Sequence, residues 1–239
     1  MAYVYHGIPD PNMKSVVHDG LVQWTGWDHI ETNVLYELDS TLYAWDIYYG
    51  NQNNTYGFVG IAVPAYDTTS ITGQDFSISN SCYIIRKSDE GIITFYDRII
   101  ILPTQIVSIV VTNTVAYIGV RDTETANSYA VFATIVVNQT NTENTEVGVG
   151  FYNVTSCNLY DSNQNTVVTT STSPIFYWDK YTMLVPLAGL DYGVASGIFS
   201  FMYSEMPTLT TSTFQTMVLN NKTFYVDDNI AIIDYFIGF

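Results

Sequence analysis

Three histidines, two cysteines and a scatter of carboxylates are the side chains in this 239-residue sequence whose types could do chemistry. Histidine is the usual general base near neutral pH, and His6, His18 and His29 all lie near the N-terminal end. A Ser-His-Asp triad would have to recruit one of them. The turn that exposes a serine nucleophile reads Gly-x-Ser-x-Gly, and the nearest stretch, Gly193-Val194-Ala195-Ser196-Gly197, has the wrong spacing. Glycoside hydrolysis needs two carboxylates facing one cleft, one of them kept protonated by burial. Asp28, Asp46, Asp97 and Asp179 sit beside aromatic residues, as sugar-site acids do. His29, Arg98 or Lys180 follows three of them directly, which fits turn residues and ion-pair partners better. The sequence predicts no catalytic residue, and the chain is not expected to be an enzyme.

Metal and cofactor chemistry is equally thin. Asp161-Ser162-Asn163-Gln164-Asn165 alternates oxygen ligands as the opening of a calcium loop does, but Thr166 stands where the sharp turn needs glycine and Thr172 where the closing glutamate belongs. Asp227-Asp228-Asn229 could hold a hard cation and reads more simply as a polar turn. Neither a phosphate-cradling glycine loop nor a dinucleotide fingerprint occurs, so no metal and no cofactor is expected. Cys82 and Cys157 cannot build a zinc site without histidine nearby. Joined as a disulfide they would close a long loop and contribute roughly 4 kcal/mol. As thiols they would be small buried apolar groups. The sequence leaves both readings open.

Two surface chemistries remain. Asn53, Asn138, Asn153 and Asn221 each begin an Asn-x-Ser/Thr glycosylation sequon, with Asn53 and Asn138 in expected loops. Four tryptophans and 20 tyrosines exceed what a core of this size needs, and they combine apolar area with a polar tip. Trp24 and Trp27, beside Asp28, and Trp178 are therefore candidate exposed platforms for a sugar or a protein interface.

The elements that position these residues follow from composition. Apolar residues make up 47% and charged ones only 13%, so polarity comes from Asn, Thr, Ser and Tyr, residues of pleated surfaces and turns. The net charge of −16 reflects missing bases: 7 Lys and Arg against 23 Asp and Glu. A polyanion gains its affinity from counterions released by Lys and Arg, so neither nucleic acid nor an anionic membrane is an expected partner. The most apolar stretches, Ile99–Val111 and Ile230–Phe239, are too short to span a bilayer and are broken by Pro103, Gln105 and Asp234. The start, Met1-Ala2-Tyr3-Val4-Tyr5-His6, lacks the pattern of a secretory signal. The chain is expected to stay in the cytoplasm or to leave the cell without such a signal, as a virion component would.

Short runs rich in Val, Ile, Tyr, Phe and Thr predict strands at Val115–Val120, Ser128–Val137, Val147–Val154, Thr166–Thr170 and Thr223–Phe239. Asn/Asp/Ser/Gly clusters at Gly50–Asn54, Ser88–Gly91, Asn138–Asn144 and Asp161–Asn165 separate the strands. This pattern predicts an all-β fold, an antiparallel β-sandwich or barrel. One short helix is expected within Ile30–Leu42, where Ile30, Val34, Leu35 and Leu38 would share a face. Residues 1–19, with Pro9-Asp10-Pro11-Asn12 and the turn signal Asp19-Gly20, read as an N-terminal arm before a sandwich region over 20–239. Aromatic clusters followed by Asp and a basic residue recur at Val22–His29, Ile93–Arg98 and Ile175–Lys180. Tyr43, Tyr117 and Tyr192, like Ser81-Cys82 and Ser156-Cys157, are spaced by about 75 residues, which suggests repeat modules over 20–91, 92–171 and 172–239.

A composition rich in Tyr, Thr, Asn and Ile and poor in Lys and Arg resembles that of surface and virion structural proteins of thermophilic archaea and their viruses. The resemblance implies a jelly-roll-like antiparallel β-sandwich subunit of a capsid, turret, spike or fibre, located in the virion or on an extracellular surface. Copies of itself and other virion or surface proteins would be its partners, with glycans attached or bound. It carries over no functional residue. The arm and the C-terminal strand Asn229–Phe239 are expected to touch neighbouring subunits. The alternative is a lectin-like adhesin that uses Trp24, Trp27, Trp178 and the adjacent aspartates.

Overall fold

The structure is a computed structural model that describes residues 2–10, 13–38, 40–50, 57–65, 81–125, 127–137, 145–153, 156–160, 165–167, 177–178, 183–189, 193–203, 215–227 and 230–234. It is an antiparallel all-β sandwich with one helix among these residues. Strand β1 (Tyr3–Gly7) and helix α1 (Met13–Leu21) come first. The strands β2 (His29–Leu38), β3 (Thr41–Gly50), β4 (Phe58–Pro64), β5 (Ser81–Lys87) and β6 (Ile93–Ile100) then pair in chain order as one sheet. The second sheet takes β1 together with β7 (Gln105–Val111), β8 (Val115–Asp122), β9 (Ser128–Val137), β10 (Thr145–Asn153), β11 (Ser156–Tyr160) and β12 (Asn165–Val167). It is completed by β13 (Tyr177–Trp178), β14 (Met183–Gly189), β15 (Gly193–Tyr203), β16 (Gln215–Leu219), β17 (Lys222–Asp227) and β18 (Ile230–Ile232).

Chain neighbours are mostly sheet neighbours, so the connectivity is that of meanders. A jelly roll alternates strands between its two sheets. Here the chain crosses once into the five-stranded sheet, after α1, and once back, between β6 and β7. The sandwich expectation holds in its coarse form, and the jelly-roll connectivity does not.

Strands β7–β10 are the middle layer, and their sequence shows why. In β8, Ala116, Ile118 and Val120 face the five-stranded sheet, while Val115 and Tyr117 pack with Ala195, Ile198, Ile230 and Ile232 on the opposite side. A strand buried on both faces reads as a continuous apolar run, which is how Val115–Val120 and Ser128–Val137 read. The second sheet forks at β9: Tyr129–Thr134 lie between β8 and β10, while Val136 and Val137 lie between β10 and β15. Beyond the fork, Phe199, Phe224, Leu219, Leu184, Ala231 and Ile233 form a separate outer core.

The five-stranded sheet is curled into a half-barrel. Its convex face contributes Tyr48, Val59, Ile61, Val63, Cys82, Ile84 and Ile99 to the core shared with β7–β10. Its concave face holds Trp45, Ile47, Tyr49, Tyr83, Ile85 and Ile93, with Tyr36, Phe58 and Phe95 against them.

Several expectations are corrected. Residues 1–19 are not a free arm: β1 pairs with β7 from Tyr3↔Val111 to Gly7↔Val107, and Met13, Val17, Gly20 and Leu21 bury one face of α1. Those four positions have helical spacing. Gly20 belongs to the helix because the Tyr3 ring lies 2.9 Å from where a Cβ would stand. The stretch Ile30–Leu42 is a β-hairpin, not a helix. The C-terminal strand Asn229–Phe239, expected to touch neighbouring subunits, is paired on both sides within the chain over β18, which lies between β15 and β17. Residues 235–239 lie outside the described residues. The expected module boundary at 91/92 cuts the β5–β6 hairpin. Ser81-Cys82 opens β5 in one sheet and Ser156-Cys157 opens β11 in the other, so these positions are not equivalent. Tyr192 lies outside the described residues.

Candidate functional site

His18, Lys14, Asp46 and Tyr48 gather beside α1 with the indoles of Trp24 and Trp27. Successive tight turns follow the helix, with Trp24 N–H donating to Leu21 O at 3.1 Å and Trp27 N–H to Trp24 O at 3.4 Å. These turns swing both indoles beneath the helix. Trp24 and Trp27 are only 2% and 9% exposed, with ring centroids 3.9 Å apart in an edge-to-face arrangement, and Trp27 leans on Tyr48. They are core residues, so the exposed platform expected of them does not exist. Aromatic area outweighs the polar tip here. Among the described residues the ring nitrogens of Trp24, Trp27 and Trp45 meet no hydrogen-bond acceptor. Trp178 is in β13, and its side chain lies outside the described residues.

His18, on α1, shares a hydrogen bond through Nδ1 with Tyr48 Oη. Burial pushes the Tyr48 hydroxyl well above its ordinary range, and the carboxylates of Asp46 and Asp19 add to the effect. Lys14, one turn earlier, is lowered by burial while the Asp46 carboxylate opposes that shift. Asp46 is 2% exposed and accepts the backbone N–H of Asn33 at 3.0 Å. Asn33 stands in a bulge of β2, where the register slips between Glu31 and Val34 and its φ is 55°. The group as a whole clamps helix, bulge and sheet together.

The cleft beside this cluster lies between α1, β4 and β5, lined by Met13, Lys14, Val17, Val63, Pro64, Cys82 and Ile101. Its volume is about 10 Å³, room for roughly one water. Small-molecule sites run to roughly 300 Å³ and more, so this cleft is a packing gap. Burial pushes the Cys82 thiol up to about 12, which leaves it unactivated as a nucleophile. Cys157 is likewise pushed up to about 12 by burial. The two are free thiols in separate cores, so the candidate disulfide is not formed.

The remaining candidates disperse. His6 Nδ1 lies 3.0 Å from Ser108 Oγ on the adjacent strand, and His29 packs on Tyr49 and Phe58 at the rim of the half-barrel. Beside His29, Lys87 Nζ reaches Glu31 Oε1 at 2.5 Å and Tyr49 Oη at 3.3 Å. Asp28 is exposed, Asp97 half-buried, and Asp179 lies outside the described residues. Ser196 is buried in β15, and its carbonyl accepts from Thr134 Oγ1. Asp227 accepts from Tyr117 Oη at 2.7 Å. Asp161–Gln164, Asp228 and Asn229 are outside the described residues. No group of three or more His, Cys, Asp and Glu among the described residues stands close enough to hold a metal ion. No helix among the described residues is long and apolar enough to cross a membrane.

What sequence reasoning missed is a surface feature, the edge of β1. Only one side of β1 is paired, to β7, and among the described residues no strand lies along its other side. Tyr3-Val4-Tyr5-His6-Gly7 carries no Lys, Arg, Asp or Glu. Val4 is 37% exposed, and Ile8, just past the strand, is 70% exposed. The sign of it was present in the alternation Tyr3, Val4, Tyr5, which the two following prolines masked. No protein-family model, curated protein or solved structure matches the chain.

Proposed function

We propose that this protein is a structural subunit, of a virion or a cell surface, that builds a larger assembly from copies of itself through its β-surfaces. The uncharged edge of β1, along which no strand lies among the described residues, is the observation that carries this reading. A free edge presents unpaired backbone donors and acceptors and invites another strand. Proteins that must remain monomeric usually blunt such edges with Lys, inward charges or proline inside the strand, and β1 has none of these.

The cluster beside α1 supports the same reading. His18, Tyr48, Asp46 and Lys14 spend their hydrogen bonds and charge on holding α1 and the bulge in place, beside a cleft with room for about one water. The placement of the virion or cell surface as the site of assembly rests on composition. The adhesin alternative loses the Trp24–Trp27 platform on which it relied.

Electron microscopy and native mass measurement of the protein from its natural source test the reading. Regular particles or fibres containing many copies of the chain are the expected result. A protein recovered only as single chains, or bound to a soluble small molecule, would overturn it.

A further inference from the structure

We infer that Asn221 is the glycosylation site that the described fold presents to solvent, modified by transfer of an oligosaccharide from a lipid-linked donor. This inference is independent of the assembly reading. Four sequons compete, and the fold separates the two whose asparagines it describes. Asn153 ends β10, half-buried, opposite Tyr129 of β9 on one side and Ser156 of β11 on the other. A sugar on its half-buried amide would have to displace neighbouring side chains.

Asn221 is placed differently. Leu219 and Lys222 are the last paired residues of the β16–β17 hairpin, so its loop is Asn220-Asn221 alone. Both have positive φ, 50° and 60°, the requirement of the tight mirror-image turn that Asn tolerates better than other non-glycine residues. Asn221, Lys222 and Thr223 are all exposed, so the whole sequon lies on the surface at a hairpin tip. The backbone holds the turn, and the Asn221 side chain is left on the outside.

The transfer balances simply. The Asn221 amide nitrogen forms a bond to the anomeric carbon of a sugar carried on a lipid diphosphate. The bond from that carbon to the diphosphate oxygen breaks and its electron pair leaves with the diphosphate, while the amide loses one proton. An oligosaccharide at this tip would stand beside β16, the last strand in its sheet order, where Val218 is 68% exposed. It would supply the steric block that charged side chains give edge strands elsewhere.

The test is production of the full chain in a secretory host behind a cleavable leader, with a reporter sequon on an added flexible tail. The monodisperse folded fraction is digested and its glycopeptides are weighed. The inference expects a glycan on the Asn221 peptide, an unmodified Asn153 peptide, and loss of that one glycan in a folded Asn221→Gln variant. An unmodified Asn221 peptide alongside an occupied reporter would overturn it. So would a glycan on Asn153 in the folded fraction.

Discussion

Tyr36 in β2 donates its phenolic hydrogen to the backbone carbonyl of Ile93 in β6, 2.7 Å away, although these strands are the two outermost of their sheet. The contact exists because the sheet curls until its edges meet. The rings of Tyr36 and Phe95 close the gap with centroids 5.2 Å apart, and Glu31 of β2 meets Lys87 of β5 alongside. Loss of the hydroxyl alone in Tyr36→Phe should cost about 1 kcal/mol, a drop in Tm of roughly 2–4 °C for a chain of this size. Tyr36→Ala should cost several times more by also removing ring contacts. Thermal unfolding of the two variants checks this, and a Tyr36→Phe variant as stable as the wild type would mean that the hydrogen bond adds nothing.

Asp46 has a different duty. Its carboxylate holds the Asn33 N–H in the β2 bulge and faces the Lys14 ammonium. Asp46→Ala leaves a buried donor and a partly buried cation without their partner, and about 2–4 kcal/mol should be lost. Asp46→Asn keeps an acceptor and should cost less. Denaturant unfolding of both variants measures the difference.

That bulge also explains where sequence reading failed. Strand alternation has period two, but the extra residue at Thr32–Asn33 shifts it, so Ile30, Val34, Leu35 and Leu38 mimic a helical stripe. In the structure Ile30 and Leu35 are exposed while Val34, Tyr36 and Leu38 pack inside the half-barrel. The true helix was hidden by the opposite effect. Pro9 and Pro11 read as disruption but end just before Met13, whose N–H bonds to Asp10 O, and Gly20 reads as a turn but is required by Tyr3. Strands β8, β9 and β10 were legible because burial on both faces selects unbroken runs of Val, Ile, Ala and Tyr. Burial of Trp24 and Trp27 was not legible, because Trp-x-x-Trp has the same spacing on a surface as in a core. Strand character at Tyr3–Tyr5 was masked by the prolines that follow, and the place of β1 at a sheet edge is set by its long-range pairing to β7.

Acid should loosen the N-terminal strand first. Burial lowers His6 below its ordinary 6.5, so the unfolded chain takes up this proton before the folded one. The stability is fully present above about pH 6.5 and is lost as pH falls through the folded value. Glu31 works in the same sense at lower pH. Burial would raise it, but hydrogen bonds from Lys87 and Tyr49 and the Lys87 charge outweigh that and hold it below 4.5. Its contribution is present above that value and lost as pH falls through the folded one. Tm measured from pH 8 downward should decline below about 6.5, and His6→Gln should flatten the first part of that decline.

Both cysteines should resist modification while the protein is folded. With thiols pushed up to about 12, the thiolate fraction at pH 8 is on the order of one in ten thousand. A thiol reagent should label neither quickly in the native state and both after denaturation. A disulfide-linked Cys82–Cys157 peptide in the native protein would contradict this.

Assembly through β1 is tested most directly by sedimentation velocity of the purified chain and of Val4→Lys, each at low and high salt. A charge on an edge strand opposes strand addition, and salt screens the repulsion between copies that each carry −16. The wild-type chain should form oligomers that grow with concentration and with salt, while Val4→Lys stays a folded single chain. A wild-type protein that remains monomeric under every condition, or a Val4→Lys variant that assembles equally well, would contradict the account.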